Sequence, residues 1–177
     1  LYDNEADLAD FAPGFNFARD HAFADLNANN PSYDFQYVYA STACNEAGGQ
    51  AAAQVVKDAG VVAVAGAACS GASMAANSVL SAAGIPQVSY ASTSPALSDA
   101  TAYPSFYRVV PSDAFQGSVV ADVMTADMQD NVAVIHMTNA YGSGLADAFV
   151  GSMDAASICT QIGYEATATD FTSIVST

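Results

Sequence analysis

Basic residues are scarce in this chain of 177 residues. It contains only three, Arg19, Lys57 and Arg108, against 18 aspartates and glutamates, so its formal net charge is -15 at pH 7. Neutralising the phosphates of a nucleic acid requires several lysines or arginines, and so does attachment to an anionic membrane surface. The composition therefore argues against nucleic-acid partners and against membrane attachment through charge. A shortage of lysine suits a protein that stays soluble in salty surroundings.

Cysteine and long apolar runs are also scarce. The three cysteines, Cys44, Cys69 and Cys159, form no CxxC pair, and the two histidines, His21 and His136, lie far from any cysteine cluster. An odd number of cysteines excludes a fully paired disulfide framework, and a structural zinc site lacks its ligands. No apolar run reaches the length of a membrane span. We therefore expect no metal, no cofactor and no direct membrane insertion.

Helical segments alternate with short apolar strands along the chain. Apolar residues and helix start and stop signals predict helices over residues 8–29, 46–59, 70–83 and 113–128, and a polar turn over 138–144 that leads into a helix ending near residue 156. Short apolar or aromatic runs predict strands over residues 35–40, 61–66, 85–90, 106–109, 131–137 and 162–168. The run 61–66 is typical of a strand buried on both faces. This alternation predicts an α/β fold with a mainly parallel sheet, and the pattern restarts near Pro111.

Small polar residues follow three of the predicted strands. In open parallel sheets, ligands collect at the carboxyl ends of the strands, so these loops are the candidate site. They are 67–73, at a helix start whose N–H groups favour an anion, 91–95 and 138–144. Serine and threonine also cap helices and form turns, so the prediction depends on the coincidence of three loops. Hydroxyls and amides without Lys or Arg are suited to holding a carboxylate.

Catalytic motifs are incomplete in this sequence. The nucleophile elbow G-x-S-x-G lacks both flanking glycines around Ser70, and Cys69 has only half of the pattern. The fingerprint of a dinucleotide site, if begun at Gly142, has Asp147 in place of its third glycine. Neither histidine has an evident partner, and both are interpreted as structural. We expect no enzyme, with an α/β enzyme acting through Cys69 or Ser70 as the weaker hypothesis.

Eight short segments, each weakly specific alone, carry a family resemblance through their order and spacing. In chain order they are VAGAACSGA at 64–72, GIPQVS at 84–89, TSPAL at 93–97, FYRVVPSD at 106–113, QG at 116–117, VAVI at 132–135, AYGSGLA at 140–146 and TDF at 169–171. With these segments the chain, from about Phe11 to its end, resembles the type I periplasmic binding proteins. The resemblance is specifically to the branched-chain amino-acid (Leu/Ile/Val) branch of ABC-transporter substrate-binding proteins.

The resemblance implies a periplasmic or extracytoplasmic protein with two Rossmann-like, parallel-sheet lobes. Such a protein captures an amino acid, or a related amide, between its lobes and delivers it to the membrane permease of an ABC transporter. The family pattern places Ser70 against the ligand carboxylate at a helix N-terminus. It gives Ala91, Ser92 and Thr93 backbone and hydroxyl contacts to the ligand, and it packs Tyr141 of the second lobe on the ligand. The alternative is an extracellular ligand-sensing domain of a signalling receptor.

The resemblance also implies a disulfide. Cys44 and Cys69 match the disulfide of some family members, and that bond requires an oxidising compartment. Two buried thiols are the alternative for this pair. Cys159 is expected to be unpaired.

Comparison with the family pattern suggests a fragment or a processed piece. The family's first strand, central in its first lobe, precedes Leu1, and an acidic residue that meets the ligand ammonium follows Thr177. Residues 1–111 are thus expected to form an N-terminal ligand-binding lobe that lacks its first strand, and residues 112–177 to begin a second lobe.

Loss of a central strand removes hydrogen-bonding partners on both of its sides. We therefore expect the isolated piece to be poorly stable, or to recruit a strand from another chain. Circular dichroism melting tests this expectation, and a sharp cooperative transition in a proven monomer would contradict it.

Overall fold

The structure, a computed structural model, describes Leu1 and residues 6–127 and 130–176. Its α-helices are α1 (Ala12–Asn29), α2 (Glu46–Asp58), α3 (Ser70–Ala82), α4 (Asp113–Ala126), α5 (Ala140–Val150) and α6 (Thr172–Val175). Its strands are β1 (Val64–Ala65), β2 (Gln87–Ser89), β3 (Phe106–Arg108), β4 (Val132–Met137) and β5 (Ile158–Tyr164). None of the helices in the described residues is long and apolar enough to cross a membrane.

The chain divides into two compact units. The first contains Leu1–Ser92 and Ala100–Val109, and the second contains Thr93–Asp99 and the chain from Val110 onward. Helices α1–α3 and strands β1–β3 therefore belong to the first unit, and the elements from α4 onward belong to the second. The predicted division into lobes 1–111 and 112–177 stays a prediction about domains.

Both units contain parallel sheets. In the first unit the strand order is β1-β2-β3, with Val64 opposite Gln87 and Val88 opposite Tyr107. In the second unit β4 pairs with β5. Parallel neighbours need a crossover connection, and helices α3 and α5 supply it between β1 and β2 and between β4 and β5. These sheets confirm the predicted α/β fold class.

Helices α2 and α3 form the core of the first unit by packing their backbones close together. The buried residues of this core on the two helices are mostly small: Gly49, Ala52, Ala53, Val56, Ala72, Ala76 and Leu80. At Gly49 there is no room for a methyl group, since an added Cβ would lie 2.7 Å from the Cα of Ala72. The close approach of the two helices therefore depends on a missing side chain.

A disulfide joins the starts of these two helices. Cys44 and Cys69, the pair that the resemblance implies, are bonded with their Cα atoms 5.3 Å apart. Cys44 directly precedes Asn45, whose side chain caps α2 by accepting from the N–H of Gly48 at 2.8 Å. Cys69 is itself the N-cap residue of α3. Cys159 is free and exposed.

The first strand of the sheet differs from its prediction. The pattern predicts a strand over 61–66 buried on both faces, but β1 contains only Val64 and Ala65, and Val62 is 88% exposed. The N–H groups of Val64 and Gly66 bond towards the β2 side, to Pro86 and Val88. Alternate residues of a strand bond to opposite edges, so Ala65 faces away from β2. Its carbonyl accepts a hydrogen bond from the Leu1 amine.

A cavity of about 1030 Å³ adjoins this outer edge of β1. Residues 34–39 also line this cavity, and they form neither helix nor strand, although the pattern predicts a strand over 35–40. A strand needs a partner to form a ladder, and the described residues place none beside this segment. Helix α1 was predicted to bury one face, yet it has no buried residue, because Phe15, Phe23 and Leu26 line the same cavity.

Helix α4 begins where the sequence predicts, after its cap Ser112, whose Oγ accepts from the N–H of Ala114 at 3.2 Å. Its predicted end at residue 128 lies outside the described residues. Helix α5 ends at Val150, earlier than predicted, and β5 starts at Ile158, earlier than the predicted 162. A short turn over Ala155–Ser157, capped by the Asp154 side chain, starts the chain into β5.

The close packing of α2 on α3 makes Gly49 intolerant of a side chain. Gly49→Ala is expected to lower the free energy of unfolding by about 1–3 kcal/mol, the usual cost of overpacking. Gly14→Ala is the matched control, because a Cβ at Gly14 in α1 would meet nothing within 4 Å. That control should be neutral or stabilising by up to about 1 kcal/mol. Urea unfolding measures both, and equal midpoints would contradict the packing argument.

The disulfide should stabilise the chain by restricting its unfolded state. Replacing both Cys44 and Cys69 with serine opens a loop with a sequence separation of 25. The expected loss in the free energy of unfolding is about 3–4 kcal/mol in the chain-entropy description. Cys159→Ser, at an exposed free thiol, serves as the control and should change it by less than about 0.5 kcal/mol. Urea unfolding without reductant, in which the double variant matched the wild type, would refute this role.

Candidate functional site

The first candidate loop leads from β1 into α3. Ser70, the first residue of α3, is 2% exposed, and the disulfide-bonded Cys69 precedes it. A helix start carries the positive end of the helix dipole and N–H groups that suit an anion. Ser70 therefore occupies the kind of position that the sequence predicts for a carboxylate contact, and the contact itself stays a prediction.

The second candidate loop follows β2 and lies against the first. Ala91 is exposed, whereas Ser92 is fully buried. The Ser92 hydroxyl lies 2.9 Å from the carbonyl oxygen of Ala68, to which it donates, and 2.8 Å from the hydroxyl of Ser73. Its carbonyl accepts from Nη1 of Arg108 at 3.4 Å. The side chain of Ser92 is thus engaged within the first unit, so its predicted ligand contact rests on the backbone of this loop.

Thr93 opens the part of the loop that belongs to the second unit, and there it contacts Asp113. The Thr93 hydroxyl donates to Oδ2 of Asp113 at 2.7 Å, and the N–H of Asp113 donates to the Thr93 carbonyl at 2.9 Å. Asp113 is the first residue of α4 and is 2% exposed. The start of that helix favours a negative charge. The result is a buried carboxylate held in a defined orientation by threonine.

Asp113 is not among the site residues predicted from the sequence. An acidic residue directly after the N-cap Ser112 is also what an ordinary helix start prefers. Asp113 differs from such an ordinary residue because its carboxylate accepts a hydrogen bond from Thr93, which is distant in sequence. The one signal for it in the sequence is its place at the end of the segment FYRVVPSD, which also carries the family resemblance.

Tyr141 lies in the second unit, near the start of α5. It is the second residue of that helix and is 47% exposed, so its ring is available for contact. The preceding turn is fixed by Asn139, whose Oδ1 accepts from the N–H of Gly142 at 2.7 Å. The five predicted ligand residues are thus divided: Ser70, Ala91 and Ser92 lie in the first unit, and Thr93 and Tyr141 lie in the second.

The histidines and acidic residues form no metal site in the described part of the chain, where no three potential ligands cluster. His21 is exposed on α1, 3.7 Å from Asp25 and stacked on the ring of Phe17. His136 lies in β4 with its Nδ1 3.0 Å from the Met137 carbonyl oxygen. Within the described residues, the partners of the two histidines are thus Asp25, Phe17, Met137 and Gln161, which are not among the predicted ligand residues.

Comparison with solved structures supports the fold. The chain is similar to an ABC Transporter Substrate-Binding Protein from Desulfitobacterium hafniense, with a TM-score of 0.67 and 27% sequence identity. The alignment covers 94% of this chain and 51% of that protein, so the chain spans about half the length of this structural relative.

Comparison with curated sequences finds metabotropic glutamate receptors. Receptor 6 of Oryctolagus cuniculus is 42% identical over 100 residues, which are 56% of this chain and 12% of the receptor. Receptor 4 of Macaca fascicularis is 38% identical over 96 residues, 54% of this chain and 10% of the receptor. Receptor 8 of Homo sapiens is 42% identical over 86 residues, again 10% of the receptor. The matches thus cover only about a tenth of these receptors.

The family assignment rests on nearly the whole chain. Residues 14–176 match the family described as "Receptor family ligand binding region". This match agrees with the α/β units, the parallel sheets and the similarity to a substrate-binding protein. This family comprises ligand-binding regions of receptors, and the solved relative is a substrate-binding protein. The chain therefore belongs to the family named "Receptor family ligand binding region", and its α/β fold is that of a type I periplasmic binding protein lobe.

Proposed function

We propose that this chain binds an α-amino acid, or a closely related small polar molecule, without acting as an enzyme. The observation that carries the proposal is the pair formed by Thr93 and Asp113. Asp113 supplies a buried negative charge, and the Thr93 hydroxyl donates its hydrogen bond to that carboxylate. The lone pairs of both groups are then acceptors, which suits the ammonium group of an amino acid. Hydrogen bonds of this kind between charged groups are among the strongest in proteins.

The carboxylate of the ligand is assigned to the loops of the first unit. Ser70 lies at the positive end of the α3 dipole, where free N–H groups favour an anion. Ala91 and Ser92 supply backbone groups. No lysine or arginine is needed for this contact, which fits a chain that has only three basic residues. Tyr141 is proposed to pack its exposed ring on the apolar part of the ligand.

The leading whole-protein role is that of an extracytoplasmic solute receptor that serves an ABC transporter. Its support is the similarity to the Desulfitobacterium hafniense substrate-binding protein over 94% of this chain. The Cys44–Cys69 disulfide also fits an oxidising compartment outside the cytoplasm. The permease partner and a preference for branched-chain amino acids are parts of this proposal.

The second candidate role is an extracellular sensing domain of a signalling receptor. The observation that favours it is the 42% identity to metabotropic glutamate receptor 6 over 100 residues. The gene that carries this chain distinguishes the two roles. A membrane-spanning helix encoded downstream favours sensing, whereas a stop codon after a second lobe favours transport.

A thermal-shift panel of the twenty L-amino acids and simple amides, on the full protein that carries this chain, tests the proposed ligand class. One ligand class should produce a saturable shift, corresponding to about 2.7 kcal/mol at a hundredfold excess over its dissociation constant. Asp113→Asn should weaken binding by about 1.5–3 kcal/mol, or about 10- to 150-fold, because it removes the charge opposite the ammonium. Thr93→Ala and Tyr141→Ala should also reduce the shift.

Asp122→Asn is the matched control, since Asp122 lies exposed on the same helix α4. It should bind as the wild type does. Wild-type affinity in Asp113→Asn would refute the assignment of the ammonium to this pair. No shift across the whole panel would refute an amino-acid ligand and would favour a receptor for another small molecule.

A further inference from the structure

Three buried serines surround the carbonyl oxygen of Ala67 in the first unit. The hydroxyls of Ser73, Ser89 and Ser92 lie 3.1 Å, 2.6 Å and 3.2 Å from that oxygen. All three serines have 0% exposure. They come from α3, from β2 and from the loop after β2, and we refer to them as the serine cluster. Hydroxyls from three parts of the chain thus lie within hydrogen-bonding distance of one backbone oxygen.

The hydrogen bonds of Ser89 show what the serine cluster holds in place. Ser89 donates its proton to the Ala67 carbonyl, and its oxygen accepts the N–H groups of Ala91 at 3.2 Å and Ser92 at 2.9 Å. A hydroxyl has one proton and two lone pairs, so this side chain is fully used. Ser89 therefore links the backbone of the loop after β2 to the backbone of the loop after β1.

Two further contacts fasten the same loop. The Ser92 hydroxyl donates to the Ala68 carbonyl at 2.9 Å, one residue beyond Ala67. Arg108, which pairs with Ser89 across the sheet, donates to the Ser92 carbonyl at 3.4 Å. The loop after β2 is thus held both from the loop after β1 and from strand β3.

We propose that Ser73 and Ser89 are positioning residues for ligand binding, acting through the loops at 67–70 and 91–92. This inference rests on the proposed function, because both loops carry residues assigned to the ligand carboxylate. The serine cluster makes the two loops one rigid body, so the start of α3 and the backbone at Ala91 are set before a ligand arrives. Binding then avoids the cost of ordering these loops.

Ser73 and Ser89 differ in role from Ser70, which is assigned to the ligand carboxylate. Ser73 and Ser89 are buried and bond only within the protein in the contacts described, so they do not touch the ligand. Their removal is expected to loosen the loops, with the α2–α3 core left intact. If these serines position the loops, their removal should speed amide hydrogen exchange only in the loop backbone. If their role is merely structural, exchange should become faster throughout the first unit.

Amide hydrogen exchange, measured by NMR on the full protein without ligand, is the first test. Ser89→Ala should speed exchange at the amides of Ala91 and Ser92 at least about tenfold, because it removes their acceptor. Ser73→Ala should have a smaller effect in the same loop. Ser78→Ala is the matched control, since Ser78 is exposed on α3 and bonds only to the Ala75 carbonyl in the contacts described. Ser89→Thr keeps the hydroxyl and should preserve slow exchange.

Affinity for L-glutamate and L-leucine, measured at a temperature where each variant is folded, is the second test. Ser89→Ala should weaken binding of whichever amino acid the wild type binds by about tenfold or more, with Ser78→Ala unchanged. Unchanged exchange at Ala91 and Ser92 would overturn the inference, and so would fast exchange with unchanged affinity. If the wild type binds neither amino acid in this test nor any ligand of the panel, the proposed function fails and the ligand role fails with it. Exchange then still decides whether the serine cluster holds the loop.

Discussion

A strand inside a parallel sheet must find hydrogen-bonding partners on both of its edges, and this constraint governs the first unit. Strand β2 has β1 on one side and β3 on the other, so its backbone is satisfied. Strand β1 has β2 on one side and a cavity on the other, and within the described residues its outer edge receives a hydrogen bond from the Leu1 amine at Ala65. Its short length, the exposed Val62 and the unburied helix α1 all follow from that single open edge.

The shortage of basic residues shapes the chemistry of both units. Arg19 lies 4.2 Å from the centre of the Tyr37 ring and 2.8 Å from Asp20, and Arg108 donates to a loop carbonyl. Two of the three cations are therefore engaged in local structure. What the candidate loops offer instead is hydroxyls, backbone groups, a helix start and one buried carboxylate. Recognition built from such groups depends on accurate placement, because a neutral hydrogen bond weakens steeply as its geometry degrades.

Local patterns predicted much of this architecture, because the start and end of a helix depend on neighbouring residues such as caps and glycines. The helices over 46–59 and 70–83 and the strand at 106–109 agree with the structure to within about one residue. The candidate loops were located by a rule about parallel sheets, and the structure does place Ser70 and Ser92 after β1 and β2. The strand predicted at 35–40 failed because a strand depends on a neighbour, and its own residues carry no information about one.

The two least predictable features are partnerships between distant residues. Asp113 looks like an ordinary first residue of a helix until Thr93 is seen donating to it. Ser92 looks like a free loop hydroxyl until the carbonyl of Ala68 is seen beside it. In both cases the residue type is compatible with several roles, and the contact decides among them. Residue type alone therefore does not reveal the partners of these side chains, although the order of strands and loops can be predicted from the sequence.

The disulfide has a practical consequence for spectroscopy. With Cys44 and Cys69 bonded to each other, Cys159 on β5 is the one thiol left for a maleimide dye, and it is exposed. The chain also contains a single lysine, Lys57 on α2. Within residues 1–177, thiol chemistry therefore addresses one side chain in the second unit, and side-chain amine chemistry addresses one in the first. A dye on Cys159 would report changes in the surroundings of β5 when a solute is added.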